Sequence, residues 1–425
     1  MTSSSGGAVR LLGANRSFRL LWTARSVSFL GDSLSLVALM LYVADHTGQA
    51  LAVALLLLVG DFAPALLGPF TGALSDRFDH RRVMVVSELA QGALLVIIAV
   101  WLSTLGALLA LVALRAIAGQ VFQPASRAVV PSLVRDRELE SANAAIGFGT
   151  NAGETLGPLV AALLLPLAGI RGVLLIDAAT FAVSAALLAF LPVRADASAR
   201  VPGAADSAAA EVDSGSAAVR EPSLWSETRA GLRYIAGMPM LRAIGFGYFA
   251  IVACNGIDDV ALVFLAKDTL HGGDSAVGLL LSAVGIGLLV GYALLGRVAG
   301  RVSMPVLLIA GFAVSSAGNL LTGLVWAVAA AFAVQATRGL GIAAMDVAAN
   351  TLIQRTVPAA LLGRVFGSLY GAIGVAAALS YLGGGLLLDL TDPRTALVAA
   401  GAGGSIATLA TALALRRSGS APHSG

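Results

Sequence analysis

Seven ionisable residues stand where an apolar environment ought to exclude them. Asp32, Asp61, Arg115, Glu154 and Arg338 each fall near the middle of a long apolar run, and Asp258 and Asp259 lie in the outer half of another. On insertion scales a charge at mid-membrane depth costs ~2.5 to 3.5 kcal/mol, so such residues normally face a bundle interior or a water-filled cavity. The chemistry open to them is proton uptake by a carboxyl, pairing of a carboxylate with a guanidinium, or contact with a substrate. Each also has a plainer reading. Arg115 and Arg338 could be struts bonded to carboxylates or carbonyls, and Asp32, Asp61 or Glu154 in a permanent pair would look the same in sequence.

Helical spacing sorts these groups onto faces. Arg25, Ser28, Asp32 and Ser35 recur at three or four residues and form one polar stripe. Gly147, Asn151, Glu154 and Pro158 form a second, and Asn255 with Asp258 and Asp259 a third. Adjacent helical residues point about 100° apart, so at most one of Asp258 and Asp259 points fully into a cavity. Asp177 reads as a cap or interface residue, Asp346 as a partner for a loop arginine, and Cys254 as an inert core residue.

The elements that must carry these faces follow from composition. The chain has 425 residues, 58% apolar and only 12% charged, with a mean hydropathy of +0.88. A soluble domain has roughly a quarter of its residues charged, so the chain belongs in a lipid bilayer. Soluble domains, a disordered chain and a disulfide scaffold are excluded together. The 49 glycines suit membrane helices. One cysteine precludes an intrachain disulfide or thiolate cluster. His46, His80, His271 and His423 all lie outside or at the ends of apolar stretches, which argues against a buried relay or zinc site. Lys267 is the single lysine and has no glycine-rich loop before it, so no phosphate-binding loop is present. No cofactor, metal, nucleotide or nucleic acid is expected. No His/Ser/Cys arrangement has catalytic spacing, so the chain does not read as an enzyme.

Apolar runs of about 20 residues or more, enough to span hydrocarbon, can be cut at twelve places: 20–44, 50–73, 83–103, 105–127, 142–166, 170–192, 240–267, 275–298, 304–324, 326–349, 365–389 and 395–416. With the N-terminus inside, the inner segments hold 21 of the 27 basic residues. The outer loops hold three (Arg171, Lys267, Arg394) and the helices three (Arg25, Arg115, Arg338). This positive-inside asymmetry places both termini in the cytoplasm. The first run lacks a small-residue cleavage site and reads as an uncleaved helix.

The expected units are residues 1–192, a six-helix bundle; 193–238, a cytoplasmic linker; 239–417, a second six-helix bundle; and 418–425, a disordered tail. The middle of the linker is Ala, Ser, Asp, Gly and Glu with almost no large apolar residue, so it cannot offset the entropy of ordering. Residues 223–234, with Leu224, Trp225 and Leu232 interleaved with arginines, suit an amphipathic helix on the inner leaflet. The halves repeat: Gly72 and Gly296 begin matching loops 224 residues apart, and Arg115 and Arg338 are 223 apart. One shared offset indicates a duplicated unit, a pattern of transporter folds with a central site.

Gly72, Asp76, Arg77, Arg81 and Arg82 fall in order in a loop that resembles the signature Gly-x-x-x-Asp-Arg-x-Gly-x-x-Arg-Arg of the major facilitator superfamily, with Asp79 at the second glycine position. As bare charges they would be topology anchors. Arg115-Ala-Ile-Ala-Gly119 resembles the superfamily's helix 4 signature, whose arginine is implicated in proton coupling. Gly153, Gly157 and Pro158 match the helix 5 signature of drug/proton antiporters, although Ala161-Ala162 stands where that pattern has two glycines. A glycine–proline packing kink is the bland reading of the same residues.

Asn15 to Trp22 with Gly31-Asp32, Pro124-Ala-Ser-Arg127, Asp177 to Phe181 and Gly363-Arg364-Val365 further resemble the enterobactin-exporter and macrolide-efflux-like branch. The second-half loop has Gly300 in place of the aspartate.

The fold expected is an all-α membrane protein with twelve transmembrane helices in two pseudo-symmetric bundles. The resemblance implies a monomeric bacterial inner-membrane efflux pump whose partners are a small-molecule substrate, protons and the bilayer. A transporter of lysophospholipid or another lipid shares this fold, and a non-transporting scaffold or receptor is the alternative of another class. The costly interior charges speak against a scaffold.

Overall fold

The computed structural model describes residues 10–60, 78–101, 104–135, 138–192, 233–298 and 302–419, and every regular element among them is a helix. In chain order these are α1 (Arg16–Thr47), α2 (Ala50–Gly60), α3 (His80–Val100) and α4 (Leu105–Leu133). One continuous element, Leu139–Ala189, breaks at Gly169, whose φ of 64° and ψ of 179° are non-helical. It divides into α5 (139–168) and α6 (170–189). The second half holds α7 (Pro239–Thr269), α8 (Gly273–Val298), α9 (Met304–Thr322), α10 (Val328–Thr356), α11 (Ala359–Leu390) and α12 (Pro393–Gly419).

Among the described residues ten helices are long and apolar enough to cross a membrane, and the break at Gly169 makes eleven. The run 50–73 is described only as Ala50–Gly60, too short to span. The linker segment 193–232, the residues 420–425 of the tail, Asp61, Gly72, Asp76 and Arg77 lie outside the described residues.

Helix ends follow local chemistry. The Asn15 side chain accepts the Phe18 N–H at 3.0 Å and caps α1. Gly48, at a φ of 62°, takes the left-handed conformation that closes α1 at its other end. The α7 rod is interrupted at Gly256 and ends in a π-helical turn, Leu265–Thr269.

Buried apolar residues separate into three clusters, and their membership fixes the topology. One cluster joins both halves: residues from the C-terminal parts of α1, α3 and α5 and the N-terminal parts of α2, α4 and α6 meet Ile257–Ala266 of α7, Leu280 of α8 and Leu388 of α11. A second, around Phe18, Met84, Phe122 and Leu188, belongs to the first half alone. A third, around Leu241, Phe312, Met345 and Leu369, belongs to the second half alone. Helices therefore alternate in direction, and the two bundles share a core at one end and keep separate cores at the other.

Polar contacts reinforce the shared end. Lys267 on α7 forms ion pairs with Asp45 on α1 and with Asp274 on α8, the latter at 3.1 Å. Asp389 on α11 accepts the N–H groups of Ala50 and Leu51, at 2.5 and 3.1 Å, so a carboxylate from one half caps the first turn of a helix in the other. Nearer mid-depth, α8 lies directly on α5: a Cβ on Gly278 would overlap the carbonyl of Pro158, and one on Gly285 would sit 2.8 Å from Thr155 Oγ1.

Candidate functional site

The polar stripe on α1 opens onto a cavity of about 540 Å³ in the first half. Its wall is built from Arg25, Ser28 and Asp32 on α1, Glu88 and Gln91 on α3, Arg115 and Gln123 on α4, and Glu154 on α5. Ser33 and Gln120 add to the polar lining, and Phe29, Leu39 and Phe122 are among its apolar residues. A second cavity of about 570 Å³ shares Arg25, Phe29, Gln120 and Gln123 with it and continues past Arg127 and Asn143 toward the divided end. The chamber thus runs from mid-depth to the end where the two cores separate.

Arg115 is the centre of the charged wall. Its Nη1 lies 2.6 Å from Asp32 Oδ1 and 3.7 Å from Asp177 Oδ2. The two acids differ in access, because the Asp32 side chain is 34% exposed and that of Asp177 is 0% exposed. Asp177 reaches α1 because residue 31 is glycine: a Cβ there would overlap Asp177 Oδ1 and Thr180 Oγ1. Asp177, expected as a cap or interface residue, does sit in the α1–α6 interface, and that interface is one wall of the charged cluster. Its Oδ1 accepts the Thr180 hydroxyl at 3.0 Å, and its Oδ2 finds no hydrogen-bond partner among the described residues.

Three contributors, Glu88, Gln120 and Gln123, were missed in sequence, while Arg25 belongs to the α1 stripe read from the sequence. Glu88 is 1% exposed; its Oε1 accepts the Ser28 hydroxyl at 3.4 Å and its Oε2 finds no hydrogen-bond partner among the described residues. Its signal was an acid inside an apolar run, one turn from Gln91. Arg25 bonds Ser126 Oγ and, at 3.4 Å, Gln123 Oε1, with its guanidinium over the rings of Phe29 and Phe122 at 5.6 and 5.8 Å. Gln120 and Gln123 gave no signal, since an amide is unremarkable in a helix until its neighbours are known.

The second half places its predicted residues elsewhere. Arg338 pairs with Asp258 and donates to Gln335 Oε1 at 3.2 Å, both ions being at least nine-tenths buried. Asn255 accepts from Asn319 Nδ2 at 3.0 Å. Asn255, Asp258 and Arg338 line none of the described cavities, and Asp259 is half-buried beside them. Asp346 does not meet a loop arginine: the hydroxyls of Tyr248 and Tyr292 donate to it at 2.7 and 3.3 Å, because α10 turns that face inward against α7 and α8.

The α5 motif is packing at an interface. A Cβ on Gly153 would lie 3.0 Å from the Leu30 nitrogen, and one on Gly157 would overlap Ser33, so both glycines let α5 lie against α1. Pro158 faces α8 of the other half. Arg81 donates to the carbonyl of Ala189, tying the first turn of α3 to the end of α6. Arg82 contributes its backbone N–H to the Asp79 cap of α3 at 2.8 Å. Among the described residues no group of three or more His, Cys, Asp or Glu is placed to hold a metal.

Two helical bundles that share a core at one end and hold a charged, solvent-connected chamber between mid-depth and the other end have the build of a membrane transporter. The chain belongs to the Major Facilitator Superfamily, whose family model matches residues 21–254 and 244–424. It is 26% identical over 392 residues to an uncharacterised transporter of this type, YfiS of Bacillus subtilis, covering 90% of this chain and 89% of that one. Macrolide efflux protein A of Streptococcus pyogenes is 27% identical over 164 residues, 38% of this chain and 40% of that protein. Among solved structures, the nucleoside transporter NupG superposes with a TM-score of 0.74 at 13% identity, over 94% of this chain and 99% of the other. A bacterial homologue of the human lysosomal transporter Spinster gives 0.67 at 14% identity, over 95% and 94%.

Proposed function

We propose that this protein is a proton-coupled antiporter that exports a small amphipathic organic molecule, a drug, natural product or siderophore, by alternating access. The observation that carries the reading is Arg115 placed between two carboxylates on a cavity wall. One guanidinium balances one of them, and a proton on the other completes the balance. The second half lacks this arrangement, since among the described residues Arg338 has Asp258 as its single acid partner and the pair is buried. Proton exchange therefore belongs to the first half, and Arg338–Asp258 is a strut.

Asp32 meets the chamber and Asp177 does not, so Asp32 is the group that exchanges with water and cargo. Glu154, exposed on the same wall, contacts the cargo, while Phe29, Leu39 and Phe122 supply its apolar surface. The divided end faces the cytoplasm in this reading, in keeping with the basic loops, and the state described is the one that loads cargo. The segment similar to macrolide efflux protein A supports export as the direction.

Uptake of a candidate compound into inside-out vesicles is expected to collapse when the pH gradient is dissipated, and to be lost in Asp32→Asn with the protein still inserted. Uptake indifferent to the gradient refutes proton coupling, and gradient-driven uptake at the unaltered rate in both Asp32→Asn and Asp177→Asn removes the Arg115 cluster from the mechanism.

A further inference from the structure

A separate cavity of about 600 Å³ lies on the second half between the start of α7 and the end of α12. The two helices touch closely where a Cβ on Gly247 would stand 2.8 Å from Thr411 Oγ1, and again where one on Gly403 would stand 3.0 Å from Cys254 Sγ. From Gly247 and Thr411 the chain runs eight and six residues to Pro239 and Arg417, roughly 9 to 12 Å at about 1.5 Å per residue. Over that distance the helices leave a wedge.

The wedge has a charged mouth and an apolar depth. Arg242 and Arg417 are both exposed at its edge, and among the described residues no acidic side chain lines it. Further in are Ala243, Ala410, Ala414 and Phe246, the last 62% exposed. Arg417 is the final residue of its apolar span and Arg242 stands one turn inside the other, so both guanidiniums sit at the level of lipid headgroups. The alanines keep the floor shallow and Phe246 forms a side against which a hydrocarbon chain can lie.

We propose that this wedge is a binding site for an anionic phospholipid. The phosphate sits between Arg242 and Arg417, whose planar forks match phosphate oxygens bidentately, and one acyl chain runs along Ala243, Phe246 and Ala414. Basic pockets between membrane helices at headgroup depth are selective for anionic lipids. A free phosphate would use the mouth alone and leave the apolar wall uncovered, which is why the occupant is a lipid. The site is independent of the transport reading.

Native mass spectrometry of the full-length protein, released from detergent with phosphatidylglycerol or phosphatidylcholine, tests this. Phosphatidylglycerol is expected to be retained over phosphatidylcholine, with roughly thirtyfold weaker binding in Arg242→Gln/Arg417→Gln. Equal retention of the two lipids, unchanged binding in the double variant, or displacement of the lipid by inorganic phosphate alone would each overturn it. Should the double variant not fold, Phe246→Trp with both arginines intact decides. Quenching of its added fluorescence by brominated phosphatidylglycerol should exceed that by brominated phosphatidylcholine, and equal quenching rejects the site.

Discussion

Asp389 Oδ1 accepts the backbone N–H of Ala50 at 2.5 Å, although the two residues are 339 positions apart and belong to different halves. The bond closes the shared end of the molecule by helix capping, and any transporter that opens this end must break it. Removing an N-cap side chain costs about 1 kcal/mol, so Asp389→Ala is expected to shift the balance toward the state open at this end by about fivefold. The single cysteine makes the measurement simple. In a Cys254→Ser background, a cysteine introduced at Ala54 should label faster from outside in the Asp389→Ala protein; an unaltered rate removes Asp389 from the gate.

Arg338 and Asp258 form a buried pair in the second half, 5% and 7% exposed. Breaking such a pair by removing one partner strands a charge and costs about 3 to 5 kcal/mol, whereas replacing both by apolar groups is often neutral. Asp258→Leu should therefore lower the thermal midpoint sharply, and Asp258→Leu/Arg338→Leu should recover most of the loss. Full recovery of stability together with transport would establish the pair as a strut; recovered stability without transport would give it a coupling duty.

Gly31 is the residue that admits Asp177 to the Arg115 cluster. A methyl group there overlaps Asp177 and Thr180, so Gly31→Ala should push α6 away from α1. Overpacking of this kind typically costs 1 to 3 kcal/mol. The expected result is folded protein with a reduced thermal midpoint and impaired proton-driven transport. A Gly31→Ala protein with the wild-type midpoint and rate would mean that the close approach is dispensable.

Asp392 lies between α11 and α12 and caps the latter, accepting the Thr395 hydroxyl at 2.5 Å and the N–H groups of Arg394 and Thr395 at 2.9 and 3.1 Å. The Thr395 hydroxyl, followed by the Thr395 N–H, holds its carboxyl below the usual carboxylate value. A carboxyl lowered on folding stabilises the folded state above its unfolded pKa, and that contribution is lost as pH falls through the lower folded value. Thermal midpoints of wild type and Asp392→Asn should therefore differ at neutral pH and converge in acid below the ordinary aspartate range. A constant gap across that range would assign the effect to shape rather than charge.

The helical bundle was legible in the sequence because hydrocarbon demands long apolar runs, and because an ionisable residue within such a run needs an interior to face. Asp32, Arg115 and Glu154 were found that way, and each lines the chamber. Spacing along one helix gave the Arg25–Ser28–Asp32 stripe, since residues three and four apart share a face. The boundary between α5 and α6 was legible from the break in hydropathy and is made by Gly169.

Partnership between helices was beyond a single sequence. Arg115 and Arg338 look equivalent at an offset of 223, yet among the described residues one joins two acids beside a cavity and the other is buried with a single acid. Asp177 and Glu88 join the site only because α3 and α6 turn those faces toward α1. Composition and period set which segments enter the membrane and which face of each is polar, as properties of one helix in its solvent. Which polar faces meet, and at which end the bundles separate, was decided by interhelical packing through contacts such as Gly31 with Asp177, where close approach depends on both partners at once.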